Sequence, residues 1–556
     1  MRKLLERYPV EAVLLLALLC LSPFMALRDV TPANELRYLS IADEALRDGH
    51  VFAFFNHGVP YADKPPLYFW LIMLCRLIFG KHCIYVLSLF SFIPAAAVTV
   101  VMDRWVYAPR TEDRKERAAV APERTAMALL FWSTVYVLGL SFFLRMDMMM
   151  TMFIVLALYA WHRDKPWQFA LFTFLALFTK GPVGILMPPL VVLTYILSYR
   201  IREARLKGKQ ERDKKWQDPR LRPLRFLGWR FLLLVGGCCA VWFTAAWLDG
   251  GADYLHNLLF HQTVDRTINA THHREPFWFY LIQIWPVMLP WCLTLLPACV
   301  ASLCRRGETV APRSSEGRSE KLFRCAFFAT VVMLSCSSSK LPVYLLPVFP
   351  FALYLLPLYV HRTGWRRWMD LTLFASAILF ALAGLALALT PLLYNRIPAL
   401  QRYTFAADPV LCIAGVLLLA GGVLTAIQAF CGKKRLLSVR PLATAVPLFF
   451  LAFAPLLPQA NEYLGFGALC RDIPDDETVY VRGLNRPENM DVYLGRDIVP
   501  LGTDDPVPAD GVFIAKSSFR DPALEGRECR IHGESALWLP AGAGEPHSNQ
   551  SQTQPI

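Results

Sequence analysis

Thirteen stretches of this chain are apolar over roughly the length a bilayer demands, and no other feature limits its fold so strongly. A helix needs about 20 apolar residues to cross the hydrocarbon core, and somewhat fewer when neighbouring helices shield it. The candidate crossings are 8–27, 82–102, 125–143, 148–161, 167–180, 181–199, 231–248, 276–303, 323–337, 341–360, 370–390, 409–430 and 441–458. With 55% hydrophobic and only 18% charged residues, the chain reads as an all-α polytopic membrane protein of about 13 transmembrane helices. An ordinary soluble enzyme is excluded. The net charge of +13 is what many short cytoplasmic loops rich in Lys and Arg would give, so nucleic acid is not an expected partner.

One further apolar stretch, following Asp63, Lys64, Pro65 and Pro66, tests the topology. If 67–80 does not span, the inward segments are the N-terminus, 103–124, 162–166, 200–230, 304–324, 361–369 and 431–440, which together hold 36 of the 57 Lys and Arg residues. If it spanned, every later loop would change sides, and the basic run from Arg200 to Arg230 would face outward, against the strongest charge signal in the chain. The stretch is therefore expected as a short helix at 65–80 in the outer surface plane, with proline at its start, Gly80 at its stop and Arg76 reaching the headgroups. A second surface helix is expected at 35–47, where Leu36, Leu39, Ala42, Ala45 and Leu46 form one apolar stripe.

The first crossing follows Arg2, Lys3 and Arg7. Leu18 and Leu19 before Cys20 are not the small residues that lipoprotein cleavage requires, so an uncleaved first helix is expected. The fourteen cysteines form no CxxC pair and no metal-ligand spacing. After 458 the composition turns soluble. Strand-like runs in 477–483, 511–518 and 528–535, separated by Pro, Gly and Asp, predict a small α/β domain over 459–540, followed by a disordered tail at 541–556. Cys470 and Cys529 both fall in this domain, where a disulfide between them is an open alternative.

With this topology, ionisable groups gather at outward helix ends, where they are costly unless paired or functional. Arg145 and Asp147 interrupt an otherwise apolar hairpin. Lys180 stands at another outward tip, and Lys340 and Tyr344 at a third. The loops thus supply Lys64, Arg266 and Lys340 as cations suited to gripping a phosphate at the membrane surface. His261 and His273 lie in an aromatic, basic loop whose plainer reading is interfacial anchoring. Glu35 is read either as part of a capped helix start, with Asn34 as the cap, or as a carboxylate that takes a proton or holds a divalent ion.

These motifs, in this order, resemble a family. N-E-x-R-Y in the first outer loop, D-K-P-P-L-Y-F-W, an Asp in the second outer loop, T-K-G-P, H-x-x-P-F-W-F-Y and S-K-L-P-x-Y look like the polyprenyl-phosphate-sugar-dependent glycosyltransferases of GT-C fold. These are the aminoarabinose transferases of lipid A and their protein O-mannosyltransferase relatives. The resemblance covers residues 8–360 well, and the remainder in layout.

It implies a sugar carried on undecaprenyl phosphate, with the phosphate near Lys64 helped by Arg266 and Tyr344. Asp147 matches the family's acidic residue of the second outer loop. From the residues themselves, Asn34, Arg145, His273 and Lys340 are candidate further substrate-binding residues, and Glu35 joins Asp147 as a candidate catalytic carboxylate. Asp63 and His261 match a metal site of some members, so a divalent ion is a candidate cofactor. Two departures stand out: Asp63 replaces the usual Glu, and Asn34 stands where the family reads Asp. A hydroxyl acceptor needs a base, whereas an ionised phosphate acceptor needs none, so the loss of one carboxylate suits the latter. The expected protein is a glycosyltransferase of the bacterial inner membrane with its site and C-terminal domain periplasmic, acting on lipid A or another lipid or glycan. Its rivals are a protein O-glycosyltransferase and a transporter or flippase of a lipid-linked sugar. Transporters tend to place polar elements near the midplane in repeated halves, which this sequence does not show.

Overall fold

The computed structural model describes residues 6–111, 113–204, 219–260, 275–303, 315–431 and 435–540. Helix α1 (Pro9–Leu27) leads into a π-helical turn at Pro32–Leu36 and then α2 (Arg37–Asp48). A two-residue hairpin, β1 (Phe55–Asn56) and β2 (Val59–Pro60), precedes α3 (Leu67–Phe79). Then follow α4 (Ile84–Tyr107), α5 (Arg114–Trp132), α6 (Val135–Leu140), α7 (Asp147–His162), α8 (Pro166–Lys180) and α9 (Pro182–Ala204). The rest of the membrane body comprises α10 (Gly237–His256), α11 (Phe279–Val287), α12 (Cys292–Ala301), α13 (Ser315–Cys336), α14 (Phe349–Thr363), α15 (Arg367–Leu393), α16 (Val410–Cys431) and α17 (Arg440–Phe453).

Each of the thirteen apolar stretches is helical. Among the described residues, eight helical stretches are long and apolar enough to cross a membrane; the others are shorter, broken or more charged. Two expected crossings are broken. In 125–143 the break falls at Ser133 and Thr134, whose hydroxyls both turn back onto the Leu130 carbonyl, at 3.2 and 3.0 Å, competing with the helical ladder. In 276–303 it falls between α11 and α12. The two breaks satisfy one another: the Val135 amide donates to the Leu289 carbonyl at 2.9 Å, and the Trp291 indole donates to Ser133 Oγ at 3.0 Å. Irregular backbone at membrane depth is tolerated where other protein groups take its hydrogen bonds.

Charged segments expected on the inner side are tied within and between themselves by ion pairs. Arg124 meets Asp103, Arg362 meets Glu320, His361 meets Glu123 and Arg110 meets Glu316. Elsewhere helices touch through glycine. A Cβ on Gly384 of α15 would lie 2.4 Å from the Leu419 nitrogen, and one on Gly415 of α16 would lie 2.4 Å from that of Ala388. Small residues of this kind let backbones approach in lipid, where no hydrophobic effect drives helices together.

Beyond α17, short helices α18 (Leu457–Leu464) and α19 (Gly467–Arg471) lead to a five-stranded sheet. Its strands are β3 (Val479–Val481), β4 (Val499–Pro500), β5 (Val512–Lys516), β6 (Cys529–His532) and β7 (Ser535–Trp538), in the order β4-β3-β5-β7-β6. β3 pairs parallel to β4 and β5, while β5, β7 and β6 are antiparallel. The three predicted strand runs are β3, β5 and β6; β4 and β7 were not anticipated. Cys470 is buried, Cys529 is exposed and both are free thiols, so the disulfide alternative falls: the two side chains lie in different environments.

One apolar cluster joins α2, α3 and the sheet, including Leu39, Tyr68, Phe69, Leu469, Val479 and Ile514. Helix α2 is therefore enclosed beneath the C-terminal domain instead of resting bare on a surface. Leu36, Leu39 and Ala42 are fully buried, and Ser40 and Glu44 on its other faces are buried as well.

Candidate active site

The loop after α1, expected on the outer side, centres on one buried ion pair. Arg28, at the end of α1, forks onto Glu35, with NH1 donating to Oε2 at 2.8 Å and NH2 to Oε1 at 2.6 Å; both side chains are 1% exposed. Glu35 also accepts from the Leu144 amide at 2.6 Å and from the Thr31 amide and hydroxyl at 2.9 and 3.0 Å. Arg28 NH2 continues to the Phe142 carbonyl at 3.0 Å. Five donors thus converge on a single carboxylate, which fastens this loop to the one between α6 and α7. Asn34 makes no side-chain cap; a π turn runs into α2, and Thr31 with Glu35 supplies the reach-back that a capping box normally makes.

The loop between α6 and α7, also expected on the outer side, carries the cation cluster. Asp147, the first residue of α7, is 2% exposed, accepts from Arg145 Nε at 3.2 Å and is bonded by Lys180 Nζ from the end of α8. Lys180 also sits over the Tyr344 ring, 5.0 Å from its centre, and Lys64 is within its electrostatic range. Asp147, Arg145, Lys180, Lys64 and Tyr344 are thereby brought together from four segments of sequence. Sequence reasoning named Lys180 only as an outward tip. Its T-K-G-P setting was the available signal. Lys340 is buried and donates to the Glu275 carbonyl at 2.7 Å, so it supports the loop before α11.

Arg266, His273 and His261 lie outside the described residues. The metal reading would need Asp63 with His261. Among the described residues no three His, Cys, Asp or Glu side chains come close enough to hold an ion, and Asp63 is half-buried beside Lys64.

A cavity of about 1010 Å³ opens beside this cluster. Asn34, Glu35, Tyr136 and Arg145 line it from the membrane body, and Lys516 and Glu534 from the C-terminal sheet. Asp29, near the start of the loop after α1, ties it to the C-terminal segment. This carboxylate accepts from the Gly467 amide at 2.7 Å, the Val30 amide at 2.8 Å and the Tyr493 hydroxyl. The Asp29 amide donates to Asn461 Oδ1 at 2.8 Å. A Cβ on Gly465 would lie 2.5 Å from Asp29 Oδ2, so only glycine allows that approach. Burial pushes the Asp29 carboxyl above its usual range, while Tyr493 and Gly467 pull it the other way.

A second dock lies across α2. Asp491 accepts from Ser40 Oγ at 2.8 Å and faces His57 at 3.6 Å, which also faces Asp497 at 3.6 Å. Glu44 accepts the amides of His57 and Gly58 at 2.6 and 2.8 Å.

The polytopic helical body with a small sheet domain seated over its loops is similar in fold to the solved aminoarabinose transferases. The solved structure of ArnT from Cupriavidus metallidurans bound to undecaprenyl phosphate superposes with a TM-score of 0.68 at 18% identity, covering 95% of this chain and 97% of that one. The apo structure gives a TM-score of 0.64 at 17% identity, covering 95% and 96%. In sequence, the chain is similar to the undecaprenyl phosphate-alpha-4-amino-4-deoxy-L-arabinose arabinosyl transferase of Pseudomonas aeruginosa strain PAO1, 28% identical over 406 residues, which is 70% of this chain and 66% of that protein. It also resembles an uncharacterised protein of Aquifex aeolicus, 24% identical over 365 residues, or 64% of each chain. The chain thus spans just under two thirds of the length of these relatives. No family model matches it.

Proposed function

We propose that this chain is a multi-pass glycosyltransferase of the bacterial inner membrane. It moves a sugar from an undecaprenyl-phosphate donor to lipid A on the periplasmic side. The observation that carries the reading is the buried Asp147 held between Arg145 and Lys180, with the Tyr344 ring under Lys180 and Lys64 within electrostatic reach of Lys180, at the edge of a large cavity. The similarity to aminoarabinose transferases supports it.

In this reading Lys64 and Lys180, with Tyr344 and Arg266, hold the donor phosphate. An ionised phosphate oxygen of the acceptor attacks the anomeric carbon; the new C–O bond forms as the bond from that carbon to the donor phosphate breaks. The electron pair leaves on undecaprenyl phosphate, whose added charge the cations stabilise. No proton needs removal, so neither carboxylate has to act as a base. Asp147 keeps Arg145 and Lys180 aligned, and Glu35, with every acceptor direction occupied, positions the two loops. A divalent ion held by Asp63 and His261 would add positive charge near the same phosphate.

The test is transfer of radiolabelled sugar from undecaprenyl-phosphate donors to whole cell envelope by purified protein. Label should enter lipid A. Lys64→Ala should reduce the rate about a hundredfold, the loss expected when a charged hydrogen bond to a developing oxyanion is removed, without lowering abundance in the membrane. Full activity in Lys64→Ala would remove the phosphate grip. Label in protein would move the reading to an O-glycosyltransferase, and donor binding without transfer would move it to a transporter.

A further inference from the structure

The steps above leave one wall of the cavity without a role. Asn485, Lys516, Glu534 and Ser535, all from the C-terminal domain, face the same space as Arg145 and Asn34 of the membrane body. We propose that the C-terminal domain reads the acceptor, with Lys516, Asn485 and Glu534 completing, across from Arg145, a binding site for a phosphorylated saccharide. This rests on the transferase reading and names which part of the molecule recognises its acceptor.

The chemistry of the lining selects that class. Tyr136, Tyr403 and Tyr463 contribute aromatic rings to the cavity, amphipathic surfaces suited to the apolar face of a sugar ring. Asn485, Asn34 and the carboxylates Glu462 and Glu534 offer hydrogen bonds to ring hydroxyl or amino groups. Arg145 and Lys516, reaching the cavity from different domains, suit a phosphate. A plain anion site would not carry two carboxylates, and a channel for acyl chains would not carry this many polar groups. The volume of about 1010 Å³ is at the upper end of ordinary small-molecule sites, about 300–1,000 Å³, and accommodates more than one sugar ring.

Position supports the same assignment. Arg145 lines the cavity and bonds Asp147, and Asp147 bonds Lys180, whose ammonium lies over the Tyr344 ring and within electrostatic reach of Lys64. The Arg145–Asp147 pair therefore divides a donor side from the domain-lined side, and a phosphate held by Arg145 and Lys516 would sit next to the donor phosphate site. Glu35 lines the cavity too, with its carboxylate already committed to Arg28 and the loop amides.

The experiment uses full-length protein in detergent and glucosamine 1-phosphate as a soluble probe, followed by saturation-transfer NMR. Glucosamine and inorganic phosphate serve as separate arms. Binding is expected in the wild type, about tenfold weaker in Lys516→Ala, as for loss of one charged hydrogen bond, and restored in Lys516→Arg. Lys64→Ala should bind the probe normally while losing transfer. No probe binding in the wild type, equal binding in Lys516→Ala, or competition by inorganic phosphate as strong as by the sugar phosphate would each overturn the proposal. Because the probe assay requires no turnover, a failure of transfer with binding intact would fall on the transferase reading alone. If transfer is observed, Lys516→Ala should raise the acceptor KM about tenfold and leave kcat near its starting value; a loss confined to kcat would count against the assignment.

Discussion

Glu35 shows how one residue can invite two readings that only geometry separates. In the sequence it is an acidic residue at a helix start in an outer loop, available as a base. In the structure its two oxygens accept from Arg28, Thr31 and Leu144 and it is 1% exposed. Arg28 was not singled out beforehand, because an arginine at the end of a first crossing is ordinarily read as snorkelling. The expected consequence is a stability effect. Glu35→Gln leaves a buried guanidinium unpaired, which costs about 3–5 kcal/mol, so the unfolding temperature in detergent should drop clearly together with activity. A variant as thermostable as the parent but inactive would return Glu35 to the role of base. Arg145 and Asp147, by contrast, were legible from the start, since two opposite charges interrupting an apolar run have few reasons to be there.

At the scale of elements, hydropathy located the apolar helices, eight of them among the described residues long and apolar enough to cross a membrane, but not where segments break or how closely they pack. The Ser133–Thr134 break depends on hydroxyls folding back onto Leu130 and on an amide donating to Leu289, more than 150 residues away in sequence; no local period encodes that. The close approach of α15 and α16 is encoded by Gly384 and Gly415, yet glycine alone does not announce its partner. Gly415→Leu should force these helices apart, because its side chain would meet backbone atoms of α15. Overpacking costs typically about 1–3 kcal/mol, so a lower unfolding temperature with unchanged donor affinity is expected. An unaltered melting curve would mean that the two helices have room to separate.

For the whole molecule, the decisive relation is the seating of the C-terminal domain on the loop after α1 and on α2 and α3. Sequence composition marked the domain and three of its five strands, but not the side chains it presents to the cavity, because Lys516 and Glu534 read as ordinary surface charges. The seating should respond to pH through Asp491. Burial raises its carboxyl above the ordinary 3.8, while Ser40 and His57 act against the rise, and Asp43 adds to it. Glu44 and Asp497 also face this dock. A carboxyl raised in the folded state holds its proton longer there than in the unfolded chain. Its contribution is therefore greatest below the unfolded value and declines as pH rises through the folded one. Melting temperatures measured from pH 4 upward should show this decline in the wild type and less of it in Asp491→Asn. Equal slopes in the two proteins would refute the coupling.

Asp29 adds a matter of timing. Its carboxylate is bound by Gly467 and Tyr493, residues made more than 400 positions after it. During synthesis the loop after α1 is therefore delivered long before the groups that hold it. The loop waits with its acid solvated and undocked until the last part of the chain has been made. Assembly of the cavity thus becomes the final event of biogenesis, and a nascent or prematurely ended chain would carry the cations around Asp147 without the enclosed space beside them.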